Sequence, residues 1–199
     1  KKPADFCLVT DGDADRIGGM DGRGNALTTH QIICLLLEHF LKNRRGRGRV
    51  VKALTTTSMV NVMCARHDLP LTETGVGFKN ICKEMLEGDV LLGCEESGGI
   101  GFPDHVPERD GILAGLMIME LLATEGKPLT TLLKRLTANY GPHEYGRIDT
   151  NCTLKQSAVL ANKAVKNPPS DLLGAPLVKI QTFDGIKFTA RNGCWLMFR

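Results

Sequence analysis

Val50-Val51-Lys52-Ala53-Leu54-Thr55-Thr56-Thr57-Ser58 is the stretch from which the fold can be read. Five mostly apolar residues are too few for a helix and read as a strand, and a polar run begins where it ends. Ser58 stands where it can cap a helix with apolar positions Met59, Val60, Val62 and Met63. The same succession recurs on both sides. Upstream, Thr28 and Gln31 form a capping box before Ile32, Ile33, Leu36, Leu37, Phe40 and Leu41, which keep helical spacing. Downstream, Leu69 to Leu71 is short and extended around Pro70. Thr74-Gly75-Val76-Gly77-Phe78-Lys79 then opens a helix with Phe78, Ile81, Cys82, Met85 and Leu86 on one face, stopped by Gly88. Val90-Leu91-Leu92 reads as a buried strand. Asp110 begins a long apolar helix that ends near Gly126, and a second helix follows Pro128 and closes around Asn139-Tyr140-Gly141. Strands alternating with helices predict an α/β fold: a mixed, largely parallel sheet with flanking helices, α/β/α. Beyond about residue 142 the pattern changes. Three strands are predicted, Val178 to Phe183, Ile186 to Arg191 and Cys194 to Arg199, with Asp184-Gly185 and Asn192-Gly193 as hairpin turns. They make a partial α+β C-terminal domain that reads as cut short at Arg199.

A chain of 199 residues, 42% hydrophobic and 24% charged, is long enough for one large domain or two small ones. The longest apolar runs, such as Ile32 to Leu37, are too short to span a bilayer. No basic-then-apolar signal opens the chain, so a cytoplasmic protein without a membrane partner is expected. Seven scattered cysteines (7, 34, 64, 82, 94, 152 and 194), without a C-x-x-C pair, suggest reduced and mostly buried thiols. The basic run from Lys42 to Arg49 has no interleaved aromatic residue for stacking on bases. A solvated loop is expected there, and no nucleic-acid partner.

Asp11-Gly12-Asp13-Ala14-Asp15-Arg16 follows the apolar stretch Phe6-Cys7-Leu8-Val9, which reads as a buried strand. Carboxylates this close repel one another unless a cation sits among them. Hard oxygen ligands without nearby Cys or His favour Mg²⁺, with Ca²⁺ or Mn²⁺ behind it. An EF-hand fails, because its glycine position holds Arg16 and its bidentate Glu position holds Gly22. The plain alternative is a solvated acidic turn. Arg16 is suited to grip a phosphate bidentately.

Ligands of parallel α/β sheets bind beyond the carboxyl ends of the strands, and the loops at 11–16, 55–58 and 93–99 all follow strands. Thr74-Gly75-Val76-Gly77 offers backbone N–H groups at a helix N-terminus to an anion or a sugar hydroxyl, or is a plain glycine turn. Glu95-Glu96-Ser97 between glycines suits hydrogen bonding to a polyol. Lys52 either snorkels to solvent or, if desolvated near Arg16 and the metal, exchanges protons with a hydroxyl. The five histidines show no ligand spacing, and His105 is the one expected to face the site.

Taken together, Asp11 to Arg16, Thr74 to Lys79, Gly93-Cys94-Glu95-Glu96-Ser97-Gly98-Gly99 and Glu108-Arg109-Asp110-Gly111 resemble the α-D-phosphohexomutase superfamily, in particular its bacterial phosphoglucomutase/phosphomannomutase branch. The resemblance implies four domains around one cleft, with 1–25 the end of domain 2, 26–139 domain 3 and 140–199 a truncated domain 4. It implies interconversion of hexose 1- and 6-phosphates, of glucose or mannose, through a phosphoserine and a hexose 1,6-bisphosphate. Asp11, Asp13 and Asp15 would bind one Mg²⁺. Arg16 and Lys52 would serve phosphate contact and proton transfer. Thr74, Gly75, Val76, Gly77 and Lys79 would contact the sugar phosphate, and Glu95 and Ser97 the sugar hydroxyls. Arg199 would open a phosphate loop. The family's serine motif is absent from this sequence, so the chain is expected to need the N-terminal domains of the same protein for turnover. The alternative is a non-catalytic, Mg²⁺-dependent phosphosugar-binding module. The glucosamine branch usually carries Gln where Glu96 stands, which disfavours glucosamine phosphate.

Overall fold

The computed structural model describes residues 4–199, beginning with a meander of Phe6–Thr10 (β1), Ile17–Asp21 (β2) and Ala26–Leu27 (β3). The three pair antiparallel in that order, and the tight connection between β2 and β3 is closed by Asp21, whose carboxylate accepts from the backbone N–H of Arg23 and Asn25. Next come Thr29–Lys42 (α1), Arg49–Ala53 (β4), Met59–Arg66 (α2), Leu71–Thr74 (β5), Phe78–Leu86 (α3), Val90–Cys94 (β6), Ile100–Gly101 (β7), Gly111–Glu125 (α4) and Leu129–Tyr140 (α5). The second sheet has the order β5-β4-β6-β7, with β4 parallel to both its neighbours and β7 antiparallel to β6.

The period-2 geometry of β4 sends Val50 and Val51 to opposite faces of this sheet. Val50 joins the larger core with residues of α1, α2, α4 and α5, while Val51 joins Phe78 and Ile81 of α3. This is the expected α/β/α layering, with unequal layers. Helix α1 begins at the predicted capping box, where Thr28 Oγ1 accepts from the Gln31 N–H at 3.1 Å and Gln31 Oε1 from the Thr28 N–H at 2.9 Å. Its Ile32, Ile33, Leu36 and Leu37 are fully buried, each side chain contributing about 1.5–3 kcal/mol of transfer free energy. Asp110 caps α4, and Gly126 ends it in the left-handed conformation.

Residues up to 143 cluster as one unit and residues 144–199 as another. The second unit holds Leu154–Lys166 (α6), Asp171–Leu172 (β8), Ala175–Gln181 (β9), Ile186–Ala190 (β10) and Trp195–Phe198 (β11), in an antiparallel sheet of order β11-β10-β9-β8.

Several local expectations differ from what is observed. The stretch Phe6 to Val9 is a strand but not a buried one: Leu8 and Val9 are 38% and 48% exposed. It belongs to the antiparallel meander rather than the parallel sheet, with β2 as its partner and α4 against it at Gly115. Ser58 precedes α2, yet its side chain caps nothing; the Met59 N–H is taken instead by Thr57 Oγ1 at 3.2 Å. Buried thiols are the minority. Cys34, Cys64 and Cys94 are buried, whereas Cys7, Cys152 and Cys194 are exposed, and all seven are free. Strands β2, β3, β7 and β8 and helix α6 have no counterpart in the predicted elements.

Candidate active site

The acidic loop curls because Ala14 adopts a left-handed φ of 58° and donates its N–H to Asp11 O at 3.2 Å. Asp11 accepts from the Arg16 backbone N–H at 3.2 Å and from Arg16 Nε at 2.5 Å. One oxygen each of Asp11, Asp13 and Asp15 lies within 4.8 Å of the others. Burial works against ionisation of Asp11, but the Arg16 hydrogen bonds outweigh it and hold the carboxyl below its usual range. Asp15 goes the other way: burial raises it, Arg109 lowers it, and the repulsion of Asp13 and Asp11 adds to the rise. Asp15 Oδ1 is buried and has no hydrogen-bond partner among the described residues. Three converging carboxylates with one buried oxygen unsatisfied fit a hard divalent cation.

The loop after β6 is stitched to the acidic loop through the backbone. Ile17 N–H donates to Gly98 O at 3.1 Å, Arg16 and Gly99 form an isolated β-bridge, and Gly111 N–H donates to Ala14 O at 3.0 Å. Two glycines permit this approach. A Cβ on Gly98, whose φ is +97°, would come within 2.5 Å of Ile17 O, and one on Gly111 within 2.6 Å of Arg16 O. Side chains complete the join. Arg109 reaches Asp15 Oδ2 at 2.6 Å with Nη2 and Glu95 Oε1 at 3.2 Å with Nη1, while its guanidinium lies 5.6 Å from the Phe78 ring centroid. Ser97 Oγ donates to the same Glu95 oxygen at 2.6 Å. Glu95 is buried and Ser97 is exposed, so this pair presents an oriented hydroxyl, backed by a carboxylate, at the surface. Glu96 is held from behind, its carboxylate by Thr55 Oγ1 and its carbonyl by Thr29 Oγ1 at 2.6 Å.

The structure therefore brings Asp11, Asp13, Asp15, Arg16, Glu95 and Ser97 together. Thr74 ends β5 and Gly75, Val76 and Gly77 follow it, beside the end of β4, where Leu54 N–H donates to Thr74 O at 3.0 Å. The Asn80 side-chain amide donates to the carbonyls of Gly75 and Val76, and Gly77 starts α3 at φ +108°. Lys79 is exposed on the first turn of α3, next to the Phe78 that supports Arg109. His105 shares a hydrogen bond with Asp110 Oδ2 at 2.9 Å, at the cap of α4. Arg199 lies in the second unit, where Nε donates to Asp184 Oδ1 at 3.2 Å.

Lys52 does not snorkel. It is 1% exposed, its Nζ donates to Thr56 O at 3.0 Å and Thr57 O at 3.3 Å, and Glu73 Oε1 lies at 3.2 Å. Burial pushes its ammonium below the ordinary range, with Glu73 acting in the opposite direction. None of these partners belongs to the acidic loop. Two residues of the site carried no role in the sequence reading, Arg109 and His30. The signal for Arg109 was its place in Glu108-Arg109-Asp110-Gly111. For His30 there was none, since a histidine on a helix face is uninformative until its partner, the Thr57 N–H, is known.

Residues 28–140 match the family described as phosphoglucomutase/phosphomannomutase, alpha/beta/alpha domain III. A phosphoglucomutase/phosphomannomutase of Thermococcus kodakarensis is 29% identical over 196 residues, 98% of this chain and 40% of its own length. A phosphoglucosamine mutase of Corynebacterium efficiens is 35% identical over 135 residues, 67% of this chain and 30% of its own length. Among solved structures, one described as a phosphomannomutase from Thermus thermophilus superposes on 100% of this chain and 41% of its own, with a TM-score of 0.80 and 36% identity. The chain thus spans about 40% or less of the length of the curated relatives it matches. No helix among the described residues is long and apolar enough to cross a membrane.

Proposed function

Because this chain belongs to the phosphoglucomutase/phosphomannomutase family, we propose that it is the metal- and sugar-binding part of a mutase that interconverts hexose 1-phosphate and hexose 6-phosphate. On this reading the sugar is glucose or mannose, and the reaction passes through a phosphoserine and a hexose 1,6-bisphosphate. Residues 1–25, 26–139 and 140–199 correspond to the end of the second, the third, and the beginning of the fourth of four domains. The phosphoserine lies in none of these segments, so the 199 residues bind without turning over. The observation that carries the reading is the join through Arg109, which fixes Asp15 of the acidic loop and Glu95 of the hydroxyl-binding loop to one guanidinium.

Asp11, Asp13 and Asp15 would hold Mg²⁺, which when bound offsets the negative charge of a phosphoryl group in transfer. Arg16, half-exposed beside them, grips the phosphate. Ser97 and Glu95 hold sugar hydroxyls and so select which end of the hexose faces the acidic loop. Thr74 to Gly77 and Lys79 contact the distal phosphate. Arg199 opens the phosphate loop of the fourth domain. The cytoplasm, where phosphosugars are made and consumed, is the compartment this function requires.

The test is an amide NMR titration of the chain with glucose 1,6-bisphosphate, with and without Mg²⁺. Binding that requires Mg²⁺, perturbs residues 95–97 and is lost in Asp13→Ala is expected. Displacement by glucose 1-phosphate, mannose 1-phosphate and glucosamine 6-phosphate ranks the sugars. No binding, or binding indifferent to Asp13→Ala, overturns the proposal.

A further inference from the structure

Behind the loop 55–58 lies a set of buried polar groups that the proposed reaction leaves without work. Three elements converge on that loop. From β4, Lys52 Nζ donates to the carbonyls of Thr56 and Thr57, at 3.0 and 3.3 Å, and faces Glu73 of β5 at 3.2 Å. From α1, His30 Nδ1 accepts the Thr57 N–H at 3.1 Å, so the imidazole is neutral at that nitrogen. From the far side, Thr55 Oγ1 donates to the Glu96 carboxylate. An ammonium has three protons to donate, and here two carbonyls and a carboxylate surround it. Lys52 is 1% exposed, so engaging a ligand would mean abandoning the carbonyls of Thr56 and Thr57, both buried residues.

We propose that Lys52, with His30 and Glu73, is a positioning clamp: it fixes the 55–58 loop so that Thr55 holds Glu96, and through it Glu95 and Ser97, in the orientation that meets sugar hydroxyls. This role rests on the phosphosugar reading of Glu95 and Ser97, and it replaces the proton transfer that the resemblance implies for Lys52. Burial supports it, since it keeps His30 neutral down to about pH 4. The chain of contacts runs from β5 through β4 to the loop and then to residue 96. Lys52 also stands beside Cys94, the residue before Glu95, across the β4–β6 ladder, so the clamp requires that the effect of a change at Lys52 travel by way of Thr55 rather than along the sheet.

The test compares Thr55→Val, Thr55→Ser, Lys52→Met and the double variant Thr55→Val/Lys52→Met, reading amide NMR spectra and affinity for glucose 1,6-bisphosphate with Mg²⁺. Thr55→Val should shift the Glu96 and Ser97 signals and weaken binding roughly tenfold, the scale of one lost hydrogen bond, and Thr55→Ser should restore both. Lys52→Met should shift the same signals, and the double variant should bind no worse than the weaker single one. Losses that multiply, to roughly a hundredfold in the double variant, would mean that Lys52 acts independently of Thr55 and overturn the clamp. So would unchanged Glu96 and Ser97 signals in Thr55→Val, an arm that decides the matter even where Lys52→Met fails to fold. Absence of bisphosphate binding in the unaltered chain sinks the phosphosugar reading instead, while the spectral comparison still decides the clamp.

Discussion

Replacing Arg109 by Met keeps most of the side-chain volume and removes the charge that joins two loops. Its partners are poorly solvated: the Glu95 side chain is 6% exposed and that of Asp15 18%, with Arg109 itself at 29%. Removing one member of a fully buried ion pair costs about 3–5 kcal/mol, and of an exposed pair at most about 1. The geometry lies between these limits, nearer the first, which gives about 2–3 kcal/mol. Partial loss of the contact with the Phe78 ring is included in that range. For a domain of this size, about 3 °C of Tm accompanies each kcal/mol, so a fall of about 6–9 °C is expected in a thermal melt without divalent cation. Arg109→Lys keeps the charge but not the fork, and one ammonium serves two carboxylates less well, so about half the loss is expected. Arg44, itself exposed at 43% and paired with the partly exposed Glu120, is the control; Arg44→Met should cost less than about 1 kcal/mol. If Arg109→Met and Arg44→Met melt within a degree of each other, Arg109 does not hold the loops together.

Three further outcomes follow from the same structure. His30 titrates near 4 in the fold against 6.5 when unfolded, so between those pH values only the unfolded chain takes up the proton. Its contribution is full above pH 6.5 and falls by up to about 3 kcal/mol towards pH 4; denaturant melts across pH 4–8 should be less pH-dependent in His30→Gln, and parallel slopes would contradict this. Gly98→Ala should cost about 2 kcal/mol or more, since a Cβ there meets Ile17 O; Gly24→Ala, also at positive φ but in open space, should cost less, and equal urea midpoints for the two would count against the close approach. Leu36→Ala, in the fully buried stripe of α1, should lose about 3 kcal/mol in urea unfolding, and a loss below about 1 would mean that α1 is not the centre of the core.

The layered α/β unit was legible because its signals are local. Thr28 and Gln31 announce α1, Asp110 and Gly126 bound α4, and short apolar runs mark β4 and β6. Most of the missed elements lack such signals or contradict them. Gly18 and Gly19 interrupt β2, whose strand character comes from its neighbours on either side. Helix α6 is the exception: it carries the same capping box as α1, Thr153 with Gln156, and apolar residues at helical spacing in Leu154, Ala158, Ala161 and Val165, so its signal stood in the sequence, although the helix buries none of its residues. Within the site, the acidic loop and the Glu95–Ser97 pair stood out as polar residues among glycines. Lys52 could be read either as snorkelling, as a lysine in a strand ordinarily does, or as desolvated; the inward-turned carbonyls of Thr56 and Thr57 and the carboxylate of Glu73 explain why it is buried.

The bridge between Arg16 and Gly99, the bond from Gly111 to Ala14 and the fork of Arg109 have a consequence for recombination among relatives. A crossover placed between residues 17 and 93 would marry one parent's acidic loop to another parent's 93–99 loop. The offspring would inherit backbone seams and a shared guanidinium that never fitted each other. Segments 11–17, 93–99 and 109–111 therefore form a single heritable block, although most of the unit separates the first from the second in the chain. On the proposed function, transplanting sugar preference means moving all three at once.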